Sequence, residues 1–138
     1  MKMLVLLAGS AAAAALAGWP RWGLWARWRR ARSAGERIRR EDALKHLLKC
    51  EANGVAATAL SLGGALGLRE PAAAALLRDL ESKGLVSFAE GRLALLPAGR
   101  GIALHVVRAH RLWERHLAEE TGVPEARWHR LAERQEHR

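Results

Sequence analysis

From residue 41 onward the apolar positions recur at helical spacing. Ala43, Leu44, Leu47 and Leu48 share one face, and Asn53-Gly54 supplies a stop, which predicts a helix over residues 41–52. Residues 55–68 read as a second, short helix with Ala57, Leu60, Leu62, Ala65 and Leu66 apolar, interrupted at Gly63-Gly64 and ended at Gly67. A third opens at Glu70-Pro71, where proline suits the first turn, and runs through Leu76, Leu77 and Leu80 to Lys83, with Gly84 as terminator. Two apolar runs, 85–89 and 92–96, flank Glu90-Gly91 and predict a β-hairpin. Three helices followed by a hairpin is the order of a winged helix-turn-helix. A long helix then opens at Pro97 and passes through Ile102, Val106, Val107, Leu112, Trp113 and Leu117 before Gly122, its first turn weakened by Gly99 and Gly101. A last helix follows Val123-Pro124 and runs from Glu125 to the end of the chain. The expected fold class is mainly α with a small β-hairpin.

The N-terminal part is different. Residues 3–20 carry no charge and lie between Lys2 and Arg21; as a helix they reach roughly 27 Å, just enough for a thin hydrocarbon core. A membrane anchor is the expectation, with a cleaved signal peptide as the alternative. The basic run that follows resists translocation, and Trp19, Trp22, Trp25 and Trp28 recur beside it as rings at a headgroup boundary would. This places the chain at the inner (cytoplasmic) membrane with the remainder in the cytoplasm. Residues 33–35 read as a small break.

Charge and composition sharpen this division. Of the net +9, residues 1–20 carry +1, residues 21–40 carry +7 and residues 41–138 carry +1. The basic character is thus a local run, and it gives the C-terminal part no general affinity for nucleic acid. Six Trp, one Phe and no Tyr leave the core to Leu, Ala and Val. Cys50 is the one cysteine, so no intramolecular disulfide forms, and its place in an apolar pattern predicts a buried thiol.

Candidate chemistry is concentrated in the last two helices. His110 and Glu114 are four apart and share a face; His129, Glu133, Glu136 and His137 form a stripe at i, i+4, i+7 and i+8. Imidazole with carboxylate suits a divalent first-row metal, and the lack of a thiolate shifts preference from Zn²⁺ toward Mn²⁺ or Fe²⁺. Spacing alone also fits exposed ion pairs with Arg111, Arg130 and Arg134. His46, His105 and His116 read as surface or packing residues. Residues 110–116 are HRLWERH and not HExxH, and neither a phosphate loop nor a nucleophile elbow is present, so no catalytic residue is nominated.

The segments LVSFAEGRLALLPAGRGIA, RAHRLWERHLAEETGVP and WHRLAERQEH make residues 41–138 resemble the iron- and manganese-dependent repressor family, that of the diphtheria toxin repressor and the manganese transport regulator. The resemblance implies a winged helix (41–96) followed by a metal-binding and dimerisation segment (97–138), after an anchor (1–20) and a basic juxtamembrane stretch (21–40). It implies one metal site at His110, Glu114 and His129, and a second at Glu133, Glu136 and His137 with Asp42 from the first helix. Three residues after Asp42 the manganese-type pattern has a further acid, and here stands Lys45. It also implies a DNA surface at Arg69, Ala72, Ala74, Ala75, Arg78 and Arg92, although alanine offers base edges only a methyl contact. Family members continue the helix beyond His137 into a dimer interface, so the segment reads as truncated. The N-terminal junction, GLWARWRRARSAGERIRREDALKHLLK, is similar to that of metal-transporter permeases with a repressor-like tail. Two functions follow: a membrane-tethered, metal-dependent transcription regulator acting as a homodimer on DNA, or a metal-sensing accessory of such a permease that no longer binds DNA.

Overall fold

The computed structural model describes residues 24–120 and 122–137. The chain divides into two units, the second beginning at Ile38. Helix α1 spans Leu24–Ala52, α2 Ala59–Leu66 and α3 Glu70–Ser82; strands β1 (Val86–Ala89) and β2 (Arg92–Leu95) follow, then α4 (Pro97–Glu120), a 3₁₀ turn (Glu125–Arg127) and α5 (Trp128–Gln135). The described residues are therefore mainly helical with one small hairpin, as expected.

In the first unit, Trp25 and Trp28 stand in solvent on α1, 6.1 Å apart between ring centroids. The guanidinium groups of Arg29 and Arg32 lie over their faces at 5.7 and 5.4 Å. The break expected at residues 33–35 does not occur, because Ser33 caps its hydroxyl onto the Arg30 carbonyl and Arg32 pairs with Glu36 one turn on. The anchor expected over residues 3–20, with Trp19 and Trp22, lies outside the described residues. No helix of the described residues is long and apolar enough to cross a membrane; the two longest, α1 and α4, are studded with arginine.

In the second unit the sequence signals act locally. Thr58 opens α2 with a reciprocal cap: its hydroxyl accepts from the Ser61 amide at 3.1 Å, and the Ser61 hydroxyl accepts from the Thr58 amide at 3.0 Å. That cap starts α2 later than expected, and residues 55–57 are extended, with Ala57 bridging to Leu93 beside the hairpin. Gly63-Gly64 does not interrupt α2, and Gly63 is buried against Ala73 of α3. Glu90 and Gly91 both take positive φ (53° and 76°) and close the hairpin, which pairs Val86 with Leu95 and Ala89 with Arg92.

The core of this unit gathers Leu44 and Leu47 from α1, Leu62 from α2, Leu77 and Leu80 from α3, Val86, Leu93 and Leu95 from the hairpin, and Ala103 from α4. Cys50 is buried in it as a free thiol. Polar clamps tie the periphery: Glu51 of α1 holds Arg100 of α4 at 2.6 Å, and Arg40 of α1 reaches Asp79 of α3 at 3.3 Å. The hydrogen bond and charge of Lys83, then the charge of Arg40, hold the Asp79 carboxyl below its ordinary range despite some burial.

Gly99 does more than weaken a first turn. A Cβ there would collide with the Leu85 carbonyl and press on Leu44, so only glycine lets α4 cross the entry of the hairpin at this distance. Gly99→Ala, which in an open helix stabilises by about 1 kcal/mol, is expected here to destabilise by about 1–3 kcal/mol, read as a lower midpoint in urea unfolding. For Asp79, whose carboxyl titrates lower when folded than unfolded, the contribution is present above the unfolded value and lost as pH falls through the folded one. Asp79→Asn is therefore expected to be less stable than wild type at neutral pH, with the gap closing in acid.

Candidate metal centre

Helices α4 and α5 pack on each other, and α1 brings its 41–45 turn to the end of α5. His110 and Glu114 are one turn apart on α4; His129 opens α5. Their ligand atoms converge. His110 Nε2 lies 3.1 Å from Glu114 Oε1 and 3.1 Å from His129 Nδ1, and the remaining side of the triangle is 3.2 Å. Three ligands at right angles around a first-row divalent ion, each roughly 2.1–2.2 Å from it, lie about 3.0–3.1 Å apart. The spacing of the three ligand atoms matches that of ligands around such an ion. Burial pushes the Glu114 carboxyl up, but the hydrogen bonds and charges of His129 and His110 outweigh it and keep the group below its ordinary range, ionised and ready as a ligand.

The orientation of His110 comes from Glu136. Its Nδ1–H donates to Glu136 Oε2 at 2.6 Å, which turns Nε2 toward Glu114 and His129. Glu136 is 3 % exposed and the one charged residue among those described that is fully buried. Its other oxygen, Oε1, accepts from Lys45 Nζ at 2.6 Å.

A second cluster shares that carboxylate. Asp42, Glu136 and His137 each offer a ligand atom to one small region; His137 Nε2 faces Asp42 Oδ1 at 3.3 Å and Glu136 Oε1 at 3.4 Å. His137 Nδ1–H donates to Glu41 Oε2 at 2.6 Å, repeating the carboxylate–imidazole arrangement of His110. Burial raises the Asp42 carboxyl above its ordinary range, outweighing the attraction of His137 and Lys45. Glu133, expected among these ligands, does not join them. Its exposed carboxylate lies 3.5 Å from His129 Nε2 and at the rim of the pocket over Asp42, Glu136 and His137.

The parts played by Glu41 and Lys45 are not encoded in local spacing. Glu41 sits beside Asp42, and its role becomes visible only when α5 returns to α1. Lys45 stood out as a departure from the resembling pattern, but its contact with Glu136 across 91 positions had no signal in the chain. Of the expected DNA residues, Arg69, Ala72, Ala75, Arg78 and Arg92 are exposed and Ala74 is half-buried.

Residues 96–138 match the family described as iron dependent repressor, metal binding and dimerisation domain. The fold is similar to a manganese-dependent transcriptional repressor in complex with manganese, at 31% identity and TM-score 0.64, over 71% of this chain and 45% of that one. It is also similar to IdeR of T. acidophilum (26% identity, TM-score 0.61, 70% of this chain, 46% of that one) and, in fold, to the manganese regulator SloR (23% identity, TM-score 0.61, 71% and 46%). The chain spans less than half the length of these proteins. No curated protein matches the chain. The likeness to a manganese-dependent transcriptional repressor and to IdeR overturns the expected inner-membrane location, and nothing in these likenesses supports a permease partner.

Removing the Glu136 carboxylate leaves Lys45 and His110 without their acceptor. Glu136→Ala is expected to cost about 1–3 kcal/mol in metal-free buffer, whereas Glu133→Ala, at an exposed site, is expected to cost under about 0.5 kcal/mol; urea unfolding in chelator measures both.

Proposed function

We propose that this protein is a transcription regulator controlled by a divalent metal, Mn²⁺ or Fe²⁺, in which residues 41–96 form a winged helix and residues 97–138 bind metal and dimerise. The observation that carries this reading is the triangle of His110, Glu114 and His129, whose ligand atoms are spaced for such an ion and oriented by a buried carboxylate. The ligands are nitrogen and carboxylate oxygen with no thiolate, which suits Mn²⁺ and Fe²⁺ better than Zn²⁺. The ion supplies charge and directional bonds that hold α5 on α4. Asp42, Glu136 and His137, with Glu133 at the rim, extend the same region toward α1.

The remaining assignments follow from exposure. Arg69, Ala72, Ala74, Ala75, Arg78 and Arg92 form the surface for DNA, with arginine meeting phosphate and alanine meeting thymine methyl groups. Few polar side chains are presented to bases, so discrimination rests largely on phosphate placement and DNA shape. Ala109, exposed Leu112, Trp113 and His116 give α4 an apolar strip that suits a homodimer.

Selection from a random duplex DNA library, run with Mn²⁺ and with chelator, tests the function. Enrichment of a two-fold-symmetric sequence in Mn²⁺ alone is expected, and His110→Ala is expected to lower Mn²⁺ affinity at least about 10-fold and abolish that enrichment. Equal recovery with and without metal would contradict a metal-controlled regulator.

A further inference from the structure

The arrangement around Glu136 separates the two clusters in kind. The ligand atoms of His110, Glu114 and His129 face one another at 3.1–3.2 Å, and the triangle opens to solvent past His129, whose side chain is 71% exposed. In the second cluster a cation is already present. Lys45 Nζ sits 2.6 Å from Glu136 Oε1, the same oxygen that faces His137 Nε2. Asp42 and Lys45 lie three apart on α1 and so share a face, and Lys45 bears on the Asp42 carboxyl as a nearby positive charge.

We infer that the Lys45 ammonium takes the place of a second metal ion, so that this protein binds one divalent cation, at His110, Glu114 and His129, and closes its Asp42–Glu136–His137 cluster without one. This deepens the metal-binding reading above and rests on it. A metal ion at the second cluster needs Glu136 Oε1, which the ammonium holds. It would also stand against a positive charge in a region where burial leaves little water to screen the repulsion. The link from α1 to α5 is meanwhile complete: Lys45 reaches Glu136, and His137 reaches Glu41 at 2.6 Å and Asp42 at 3.3 Å. Glu136 serves both halves, one oxygen orienting His110 for the metal and the other neutralising Lys45.

Equilibrium dialysis of the full chain against Mn²⁺, followed by metal analysis, counts the ions bound. Wild type is expected to hold about one ion per chain, Lys45→Gln and Lys45→Glu about two, and the exposed-site control Lys49→Gln about one. Circular dichroism confirms that each variant is folded. Two ions on wild type, or one ion on both folded Lys45 variants, would overturn the inference while leaving metal binding intact. No ion on wild type would instead overturn the metal-binding reading itself. The wild-type count decides between one and two even where neither variant folds.

Discussion

A carboxylate shut away from water has to be met by charge or by hydrogen bonds, and Glu136 is met by both. Lys45 arrives from α1, His110 from α4, and Glu136 itself stands at the end of α5 with its amide on the Ala132 carbonyl at 3.0 Å. Three elements far apart in sequence are therefore fixed to one another by a single side chain. Because its two oxygens point to different partners, the carboxylate also divides the region: one side orients an imidazole, and the other neutralises an ammonium. The order of the last turn of α5, which would otherwise fray, follows from the same contacts.

The rest of the second unit places this group. The core built by Leu44, Leu47, Leu80 and the hairpin holds α1 against α4, and Gly99 lets α4 start close beneath Leu85. From that start α4 brings His110 and Glu114 round to face α5. A helix displaced outward by a side chain at residue 99 would carry both ligands with it.

Much of this was legible in the chain. The hairpin followed from two apolar runs around Glu90-Gly91, α3 from Pro71 and its leucines, and α4 from the spacing that begins at Pro97. Spacing alone joined His110 to Glu114 and set His129 in the stripe of α5; that the three form one site was implied by the family resemblance. Other features depend on contacts that periodicity does not encode. The start of α2 was set by the Thr58 cap instead of the apolar pattern, and residues 33–35 stayed helical because local side-chain bonds offset a weak propensity. Glu133 matched the spacing of the stripe but stands at the rim of the second cluster, 3.5 Å from His129 Nε2. Glu41 carried no signal at all until the chain closed on itself.

The central claim is that Glu136 separates a metal-ready triangle from a cluster already closed by lysine. Anomalous diffraction from crystals of the full chain grown with Mn²⁺ tests it most directly. The account predicts a single peak bonded to His110 Nε2, Glu114 Oε1 and His129 Nδ1, with Lys45 still on Glu136. A peak between Asp42 and His137 with Lys45 displaced, with or without one in the triangle, would contradict it.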